Sequence, residues 1–433
     1  MTHPFDVCIR GAGIVGSTLA LLLARERLRV ALVSLPRGPR PSSSAAAATP
    51  AYVGPATPTP AATPREGEQS SSEQPGDSGA ARPDDAPAGA RPDPADGHGD
   101  VRAYALNAAS QDALTSLRCW PEGPSATAVR AMQVFGDDGG AVTFGAKGDE
   151  QGALAWIVDV PALEQKLAEA VREQALVEQV ADAPPPAPLT VICEGRVSAS
   201  RDALAVEYDV TPYGQHAIAT RLSCEKPHGA IARQWFNAGR ILALLPLGGA
   251  EGREVAVVWS VADSDMPQLM ALLPEEFAAR LEEASHHSLG KLTVTHHRAA
   301  WPLQLAQARR FIGQFKGSSA KKPRNFALAG DAAHTVHPLA GQGLNLGLAD
   351  ATCLAKVLRE RDYWRSVGDE KLLRRYERSR KAGLLPMQSA SDGMQRLFAH
   401  GGDTAQALRN WGMWGFERSG PLKAWAVRQA MGL

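Results

Sequence analysis

Phe5-Asp6-Val7-Cys8-Ile9-Arg10-Gly11-Ala12-Gly13-Ile14-Val15-Gly16 is the stretch whose reading decides the fold. Residues 5–9 have the character of a buried strand, and Ser17 to Arg27, rich in Ala and Leu, read as a helix. Between them Gly11, Gly13 and Gly16 fit a G-x-G-x-x-G turn. In such a turn the first glycine permits the tight bend and the second lets a pyrophosphate approach the backbone. The third lets helix and strand pack closely. The N–H groups at the start of the helix then face the phosphates. Val30-Ala31-Leu32-Val33 follows as a second buried strand and completes a β-turn-α-β unit. That unit predicts a Rossmann-like parallel sheet with a dinucleotide site. At the end of its second strand, where an acid is expected to hydrogen-bond a ribose, stands Ser34.

Beyond this unit the composition changes abruptly. From Pro36 to Gly99 the chain is Pro, Ala, Ser, Gly and Asp with hardly any large apolar residue. Such a stretch cannot bury enough surface to offset its ordering entropy, so residues 36–99 are expected to form a disordered insertion. Order is expected to return at Asp100-Val101-Arg102-Ala103-Tyr104-Ala105-Leu106-Asn107. A capped helix over Ser110–Leu117 and an amphipathic helix over Pro161–Arg172 follow. Ala183 to Pro188 make a short stiff connector before a strand over Leu189–Cys193. Between 205 and 305 the runs Ala217–Leu222, Ile241–Pro246 and Val255–Ser260 read as strands, with a helix near 275–284. They predict a mainly antiparallel sheet inserted into the first domain. Phe326-Ala327-Leu328-Ala329 returns to a buried strand, and the chain from Gly343 onward reads as mostly helical.

A second motif follows that last strand. Gly330-Asp331-Ala332-Ala333-His334 comes first, then Pro338-Leu339-Ala340-Gly341-Gln342-Gly343-Leu344-Asn345-Leu346-Gly347. Gly330 permits close contact, and the Asp331 carboxylate can accept hydrogen bonds from a polyol chain. Gly341 and Gly343 precede a helix whose exposed N–H groups stabilise an anion. A reduced flavin carries negative charge near N1 and its C2 carbonyl, which a helix N-terminus aimed there would stabilise.

Charge and cysteine usage exclude other classes. Lys+Arg and Asp+Glu are 46 each and no basic run interrupts the chain, so nothing calls for nucleic acid. The five cysteines form no CxxC pair or Cys/His cluster, so neither a zinc site nor a disulfide framework is expected, and reduced thiols with a cytoplasmic placement are. His334 and His337 have no acid or cysteine constellation around them, and a structural or flavin-adjacent role is expected rather than a metal. The N-terminus lacks the pattern of a secretory signal. No run of about 18 apolar residues predicts a membrane-spanning helix.

The glycine triplet, Gly330-Asp331 and Pro338 to Gly347 together resemble the FAD-dependent aromatic hydroxylases of the p-hydroxybenzoate hydroxylase type, and most of all those of ubiquinone biosynthesis. Arg102-Ala103-Tyr104-Ala105-Leu106, Tyr213-Gly214-Gln215, Lys226 to Phe236, Leu244-Leu245-Pro246-Leu247 and Trp301-Pro302-Leu303 are similar to further stretches of that group. The likeness spans residues 4–35 and 100–433. It implies an α/β fold in which an FAD-binding domain is built from 1–35, from 100–204 (with some substrate-domain strands) and from 306–390. A substrate domain over 205–305 and C-terminal helices over 391–433 complete it. The implied reaction is hydroxylation of a phenolic, prenylated ubiquinone-pathway intermediate through a C4a-hydroperoxyflavin, with NAD(P)H as electron donor and dioxygen as oxidant. FAD would be held by Gly11, Gly13, Gly16, Arg102, Gly330, Asp331, Pro338, Gly341, Gln342, Gly343, Leu344 and Asn345. Within that set the family places Asp331 at the ribityl chain, Pro338 and Gly341 to Asn345 along the isoalloxazine, and Arg102 near the flavin and pyrophosphate. Tyr213 and Trp301 are candidates for the phenol pocket or for the core.

Three features depart from the family pattern: Ser34, Glu194 where an aspartate is usual before Gly195, and a short stretch between Arg172 and Leu189. They leave a second reading open, a non-catalytic relative that serves as a binding or assembly partner. The tail from Gln395 mixes Trp, Leu and Phe with Arg and Lys. It reads as helices packed on the FAD domain or as a face for peripheral contact with a membrane or a quinone-pathway protein.

Overall fold

Arg10 to Gly13 and the two strands on either side set the first layer of the molecule. A computed structural model describes residues 4–34, 100–136, 140–145, 152–181, 185–237, 239–249, 251–318, 324–335 and 343–399, with the backbone alone over 385–399. The expectations for 36–99, His337, Pro338, Gly341, Gln342 and the tail beyond 399 lie outside the described residues.

In chain order the elements are β1 (Val7–Arg10), α1 (Ile14–Arg25), β2 (Val30–Val33), β3 (Ala103–Leu106), α2 (Ala108–Ser116), β4 (Ala126–Val129), β5 (Ala131–Phe135), β6 (Ala141–Gly145), β7 (Ala155–Asp159), α3 (Val160–Glu173), β8 (Val177–Val180) and β9 (Leu189–Ile192). Then come α4 (Ala199–Ala203), β10 (Tyr208–Cys224), β11 (Ile231–Asn237), β12 (Arg240–Leu247), β13 (Glu254–Ala262), α5 (Met266–Ala271), α6 (Pro274–Ala284) and β14 (Leu292–Val294). The last are β15 (Ala299–Ala308), β16 (Ile312–Gln314), β17 (Asn325–Leu328), β18 (His334–Thr335), α7 (Gly343–Arg359) and α8 (Glu370–Ala399).

The first sheet has six strands in the order β16-β17-β9-β1-β2-β8, parallel except where β16 meets β17. Its inner strands are continuous apolar runs because both faces are buried. Val7, Ile9, Val30, Leu32, Leu189 and Val191 face α1, α3 and α7 in the main core. Cys8, Ala31, Val33 and Ala187 form a much smaller cluster on the other face. The described part of the short 173–189 stretch holds one edge strand, β8. Nearby, a cavity of about 320 Å³ opens between Arg10, Thr190, Ile192 and Phe315, away from Gly330 and Asp331.

Helix α1 starts at Ile14 rather than Ser17 and ends at Arg25. Gly13, in extended conformation, is its cap, and Arg27 ends it by entering the left-handed region at φ 58°. Helix α2 likewise begins earlier, at Ala108, because the Asn107 side chain accepts from the Ser110 N–H at 2.9 Å.

The second sheet has nine strands and runs β18-β15-β10-β13-β12-β11-β5-β6, with β14 on β10. It is antiparallel apart from the β11–β5 pair. Strand alternation sorts its residues. Val255, Val257, Trp259 and Val261 meet Phe277 and Leu281 of α6 in one core. On the opposite face, Ala232, Leu247 and Ala256 pack on Val129 and Ile157 of a small sheet ordered β3-β7-β4. The large sheet also recruits β5 and β6 and, through β18, the segment just after Asp331. Arg221 of β10 fixes the chain over residues 100–102. It donates to both Asp159 oxygens at 3.0 and 3.1 Å and to the carbonyls of Asp100, Val101 and Arg102.

Candidate cofactor site

The three glycines of the first motif meet different demands. Gly11 has φ +106°, and a Cβ there would stand 2.4 Å from the Cys193 carbonyl oxygen. A Cβ on Gly16 would lie 1.9 Å from the Gly11 oxygen. Both are therefore required by packing within the protein. Gly13 differs, because among the described residues nothing lies within 4 Å of a Cβ added there and no side chain caps α1. Open space next to uncapped helix N–H groups is what an incoming phosphate needs.

The second motif converges on the same place. Gly330 follows β17 with φ +63° in a single 3-10 turn, and α7 starts at Gly343. A Cβ on Gly330 would lie 3.3 Å from Val15, and one on Gly347 would lie 2.6 Å from Val15 and 3.3 Å from the Gly330 Cα. The glycines thus let α1, α7 and the Gly330 turn close on one valine side chain. Two motifs more than 300 positions apart in the sequence form one site.

Asp350, on α7, holds that site from beneath. It is fully buried and accepts from the Gly330 N–H at 2.8 Å, His334 Nε2 at 2.7 Å and Arg380 Nε at 2.5 Å. Burial alone would raise its pKa, but His334 and Arg380 outweigh that and hold the carboxyl below its ordinary value. His334 is accordingly engaged with an acid in the core. Among the described residues no three His, Cys, Asp or Glu side chains are grouped to hold a metal ion.

Asp331 is different. Its backbone oxygen accepts from the Tyr208 hydroxyl at 2.9 Å, and the Arg201 guanidinium lies 3.8 Å from the centre of the Tyr208 ring. Its half-buried carboxylate accepts no hydrogen bond from the described residues. Burial raises its pKa, against the opposing charges of Arg196, His334 and Arg102. A partly buried acid with open acceptor sites fits a ligand rich in hydroxyls.

Arg102 and Asn345 are present but occupied. Arg102 donates from Nε and Nη2 to Asp100 at 2.9 and 2.5 Å, and Glu164 lies 3.7 Å away. The Asn345 oxygen accepts from Asn107 N–H at 3.0 Å and Ser110 Oγ at 2.7 Å, and its amide donates to the Ala105 carbonyl at 2.8 Å. It laces α7 to the corner between β3 and α2, so what remains for a ligand is its backbone N–H in the first helical turn. Leu344 is half-buried against the main core.

Ser34 is exposed, and its N–H donates to the Val180 carbonyl at 3.0 Å. Glu194 turns inward. It accepts from Arg10 Nε at 2.9 Å, Ser198 Oγ at 2.8 Å and the Ser200 N–H at 2.9 Å, which serves the start of α4. Burial raises its pKa, and these donors, Ser200 foremost, more than reverse that. This acid thus ties Arg10 to the start of α4.

Beside the site lies the face of the large sheet turned away from α6. Strand register sets Trp301, Ala217, Ser260, Ile241 and Phe236 in one row across five strands. Ala299, Ala219, Val258 and Ala243 form the next row. Between Trp301 and Phe236 the first row carries Ala217, Ser260 and Ile241, of which Ala217 and Ser260 are buried. Arg196, after Gly195, reaches the Pro302 carbonyl at 3.5 Å. Tyr213 sits at the irregularity in β10 between Pro212 and Gln215 rather than in these rows.

Comparison with known proteins places this architecture. A family model described as FAD binding domain matches residues 173–385. The chain is 33% identical over 245 residues to the ubiquinone hydroxylase UbiL of Rhodospirillum rubrum, which covers 56% of this chain and 54% of that protein. The chain thus spans about half the length of this relative. It is 28% identical over 377 residues to the 3-demethoxyubiquinol 3-hydroxylase of Escherichia coli, covering 78% of this chain and 89% of that one. The p-nitrophenol 4-monooxygenase PnpA of Pseudomonas putida shares the fold at a TM-score of 0.65, with 15% identity over 99% of this chain and 98% of its own. The chain thus carries a match to an FAD binding domain and is similar to hydroxylases of ubiquinone biosynthesis.

Proposed function

We propose that the protein is an FAD-dependent monooxygenase that hydroxylates a phenolic, prenylated intermediate of ubiquinone biosynthesis, with NAD(P)H as electron donor and dioxygen as oxidant. The observation that carries the reading is the closure of both glycine motifs on Val15, beside which the Asp331 carboxylate has no hydrogen-bond donor among the described residues and the start of α1 is uncapped. In this reading Gly11, Gly13 and Gly16 admit the pyrophosphate to the N-terminus of α1, and Asp331 accepts from the ribityl hydroxyls. Gly343, Leu344 and Asn345 offer the N–H groups of α7 to the flavin ring, with Pro338, Gly341 and Gln342 beside it. Arg102 faces the pyrophosphate. Bound FAD would supply the redox and oxygen chemistry, and the side chains bind, orient and exclude water. In this reading the substrate ring lies against the sheet face that carries Ala217, Ala219 and Ala243, near Trp301.

No helix among the described residues is long and apolar enough to cross a membrane. Peripheral contact with a membrane or a pathway protein is proposed because a prenylated substrate partitions into lipid. Failure of the purified protein to float with anionic liposomes would count against the membrane form of that contact.

Purified protein is expected to show a flavin absorbance spectrum or to acquire one with FAD. A preparation that stays colourless after reconstitution would overturn the reading. Asp331→Ala is expected to weaken FAD binding about 10- to 100-fold, the worth of charge-assisted hydrogen bonds of ~1.5–3 kcal/mol. Unchanged flavin occupancy in that variant would remove Asp331 from the site.

A further inference from the structure

Arg102 enters the proposed site already bound to an acid two residues before it. Asp100 Oδ1 accepts from the Arg102 backbone N–H at 3.0 Å and from Nε at 2.9 Å, while Oδ2 accepts from Nη2 at 2.5 Å. This is a closed local clamp on the guanidinium edge, with Glu164 a further 3.7 Å from Nη2. The acid cannot drift away from it. Arg221 grips the carbonyls of Asp100, Val101 and Arg102, and the Val160 N–H holds the Arg102 carbonyl at 3.3 Å. The strand that follows, β3, is tied to the first turn of α7 through Asn345 and the Ala105 carbonyl. Arg102 therefore stands beside the flavin motif on a fixed backbone, and its charge is felt at Asp331 and Tyr104.

One forked edge of a guanidinium suits one carboxylate or one phosphate at a time, and Asp100 fills the edge formed by Nε and Nη2. The Arg102 side chain is 41% exposed, so it can be approached, whereas Asp100 is only 14% exposed. We propose that Asp100 is a gate on the Arg102 anion site: the carboxylate competes with the cofactor's pyrophosphate for the same guanidinium edge and holds FAD affinity below what the site could reach. The inference rests on the flavin reading above. An acid that merely orients Arg102 would have the opposite consequence, because its removal would weaken binding.

The sign of one substitution therefore decides between them. Asp100→Asn keeps an oxygen for the Arg102 N–H and removes the charge. It is expected to tighten FAD binding roughly fivefold, the scale of a partly exposed ion pair. Arg102→Met alone should weaken binding, and adding Asp100→Asn to Arg102→Met should then change nothing. Binding is followed by flavin fluorescence on the full chain, with Asp100→Ser as a second variant should the asparagine disturb the turn. Wild-type binding with equal or weaker affinity in both Asp100 variants overturns the gate and leaves the flavin reading intact. A wild-type protein that takes up no FAD overturns that reading, and the gate falls with it.

Discussion

Asp350→Ala is expected to lower the thermal midpoint of the protein by on the order of 10 °C and to abolish stable flavin binding. The substitution strands three donors at once: Arg380 Nε, His334 Nε2 and the Gly330 N–H. Removing one partner of a buried ion pair costs about 3–5 kcal/mol, because the remaining charge is left without a partner or water. Total stabilities of about 5–15 kcal/mol leave little reserve against such a loss. Asp350→Asn, which keeps the shape and part of the hydrogen bonding, should lose less. The pH dependence follows from the same carboxyl. Its folded pKa is depressed, so its contribution is fully present above the unfolded carboxylate value of about 3.9 and is lost as pH falls through the folded value. The Asn variant should accordingly show a flatter acid limb in thermal melts between about pH 5 and pH 2. A midpoint for Asp350→Ala within about two degrees of wild type, which corresponds to about 1 kcal/mol or less, would refute the supporting role.

The second large effect is expected at Gly16. The Cβ of Gly16→Ala would lie 1.9 Å from the Gly11 oxygen, a backbone atom that can move only if the whole turn moves. Overpacking of this kind costs about 1–3 kcal/mol, and the displaced turn is the one assigned to the pyrophosphate. FAD affinity should fall on the order of 100-fold, equivalent to about 2.8 kcal/mol. Gly13→Ala provides the contrast. Nothing among the described residues meets the added methyl, so the thermal midpoint without FAD should hold or rise, while FAD binding falls. If Gly13→Ala binds FAD as wild type does, the open space at the start of α1 is not where the cofactor lies.

How much of this was legible from sequence depended on whether a residue's role is local. Gly11, Gly13 and Gly16 announced themselves because a turn between a strand and a helix is written in adjacent positions. The strand Phe326 to Ala329 was equally plain, as an apolar run ending in Gly330-Asp331. Asp350 was not read, because its partners come from Gly330, His334 and Arg380, which only the fold assembles. A signal did exist: an acid set in Leu346-Gly347-Leu348-Ala349-Asp350-Ala351, on a face otherwise apolar, must find a buried cation. Asn345 was expected at the flavin, yet its side chain is used by Ala105, Asn107 and Ser110. No spacing rule could have shown that, since the β3–α2 corner reaches it from some 240 positions away. Glu194 stands directly before Gly195. Its attachment to Ser198 and Ser200 lay only a few residues downstream, in a helix too short to register as a pattern.

The closure of Gly330 and Gly347 on Val15 also governs when the protein can become complete. The first strand and helix leave the ribosome early, but the surface that seats Val15 lies in the last quarter of the chain. Synthesis at about 5–20 residues per second separates the two halves of the contact by tens of seconds. Through that interval α1 has no α7 to pack on, and its apolar flank must be shielded by other means. In the proposed reading, FAD held across this seam acts as a late fastener that joins an earlier and a later part of the polypeptide. Truncated chains ending before Gly343 should be recovered as chaperone-bound or degraded species, whatever the quality of their other domains.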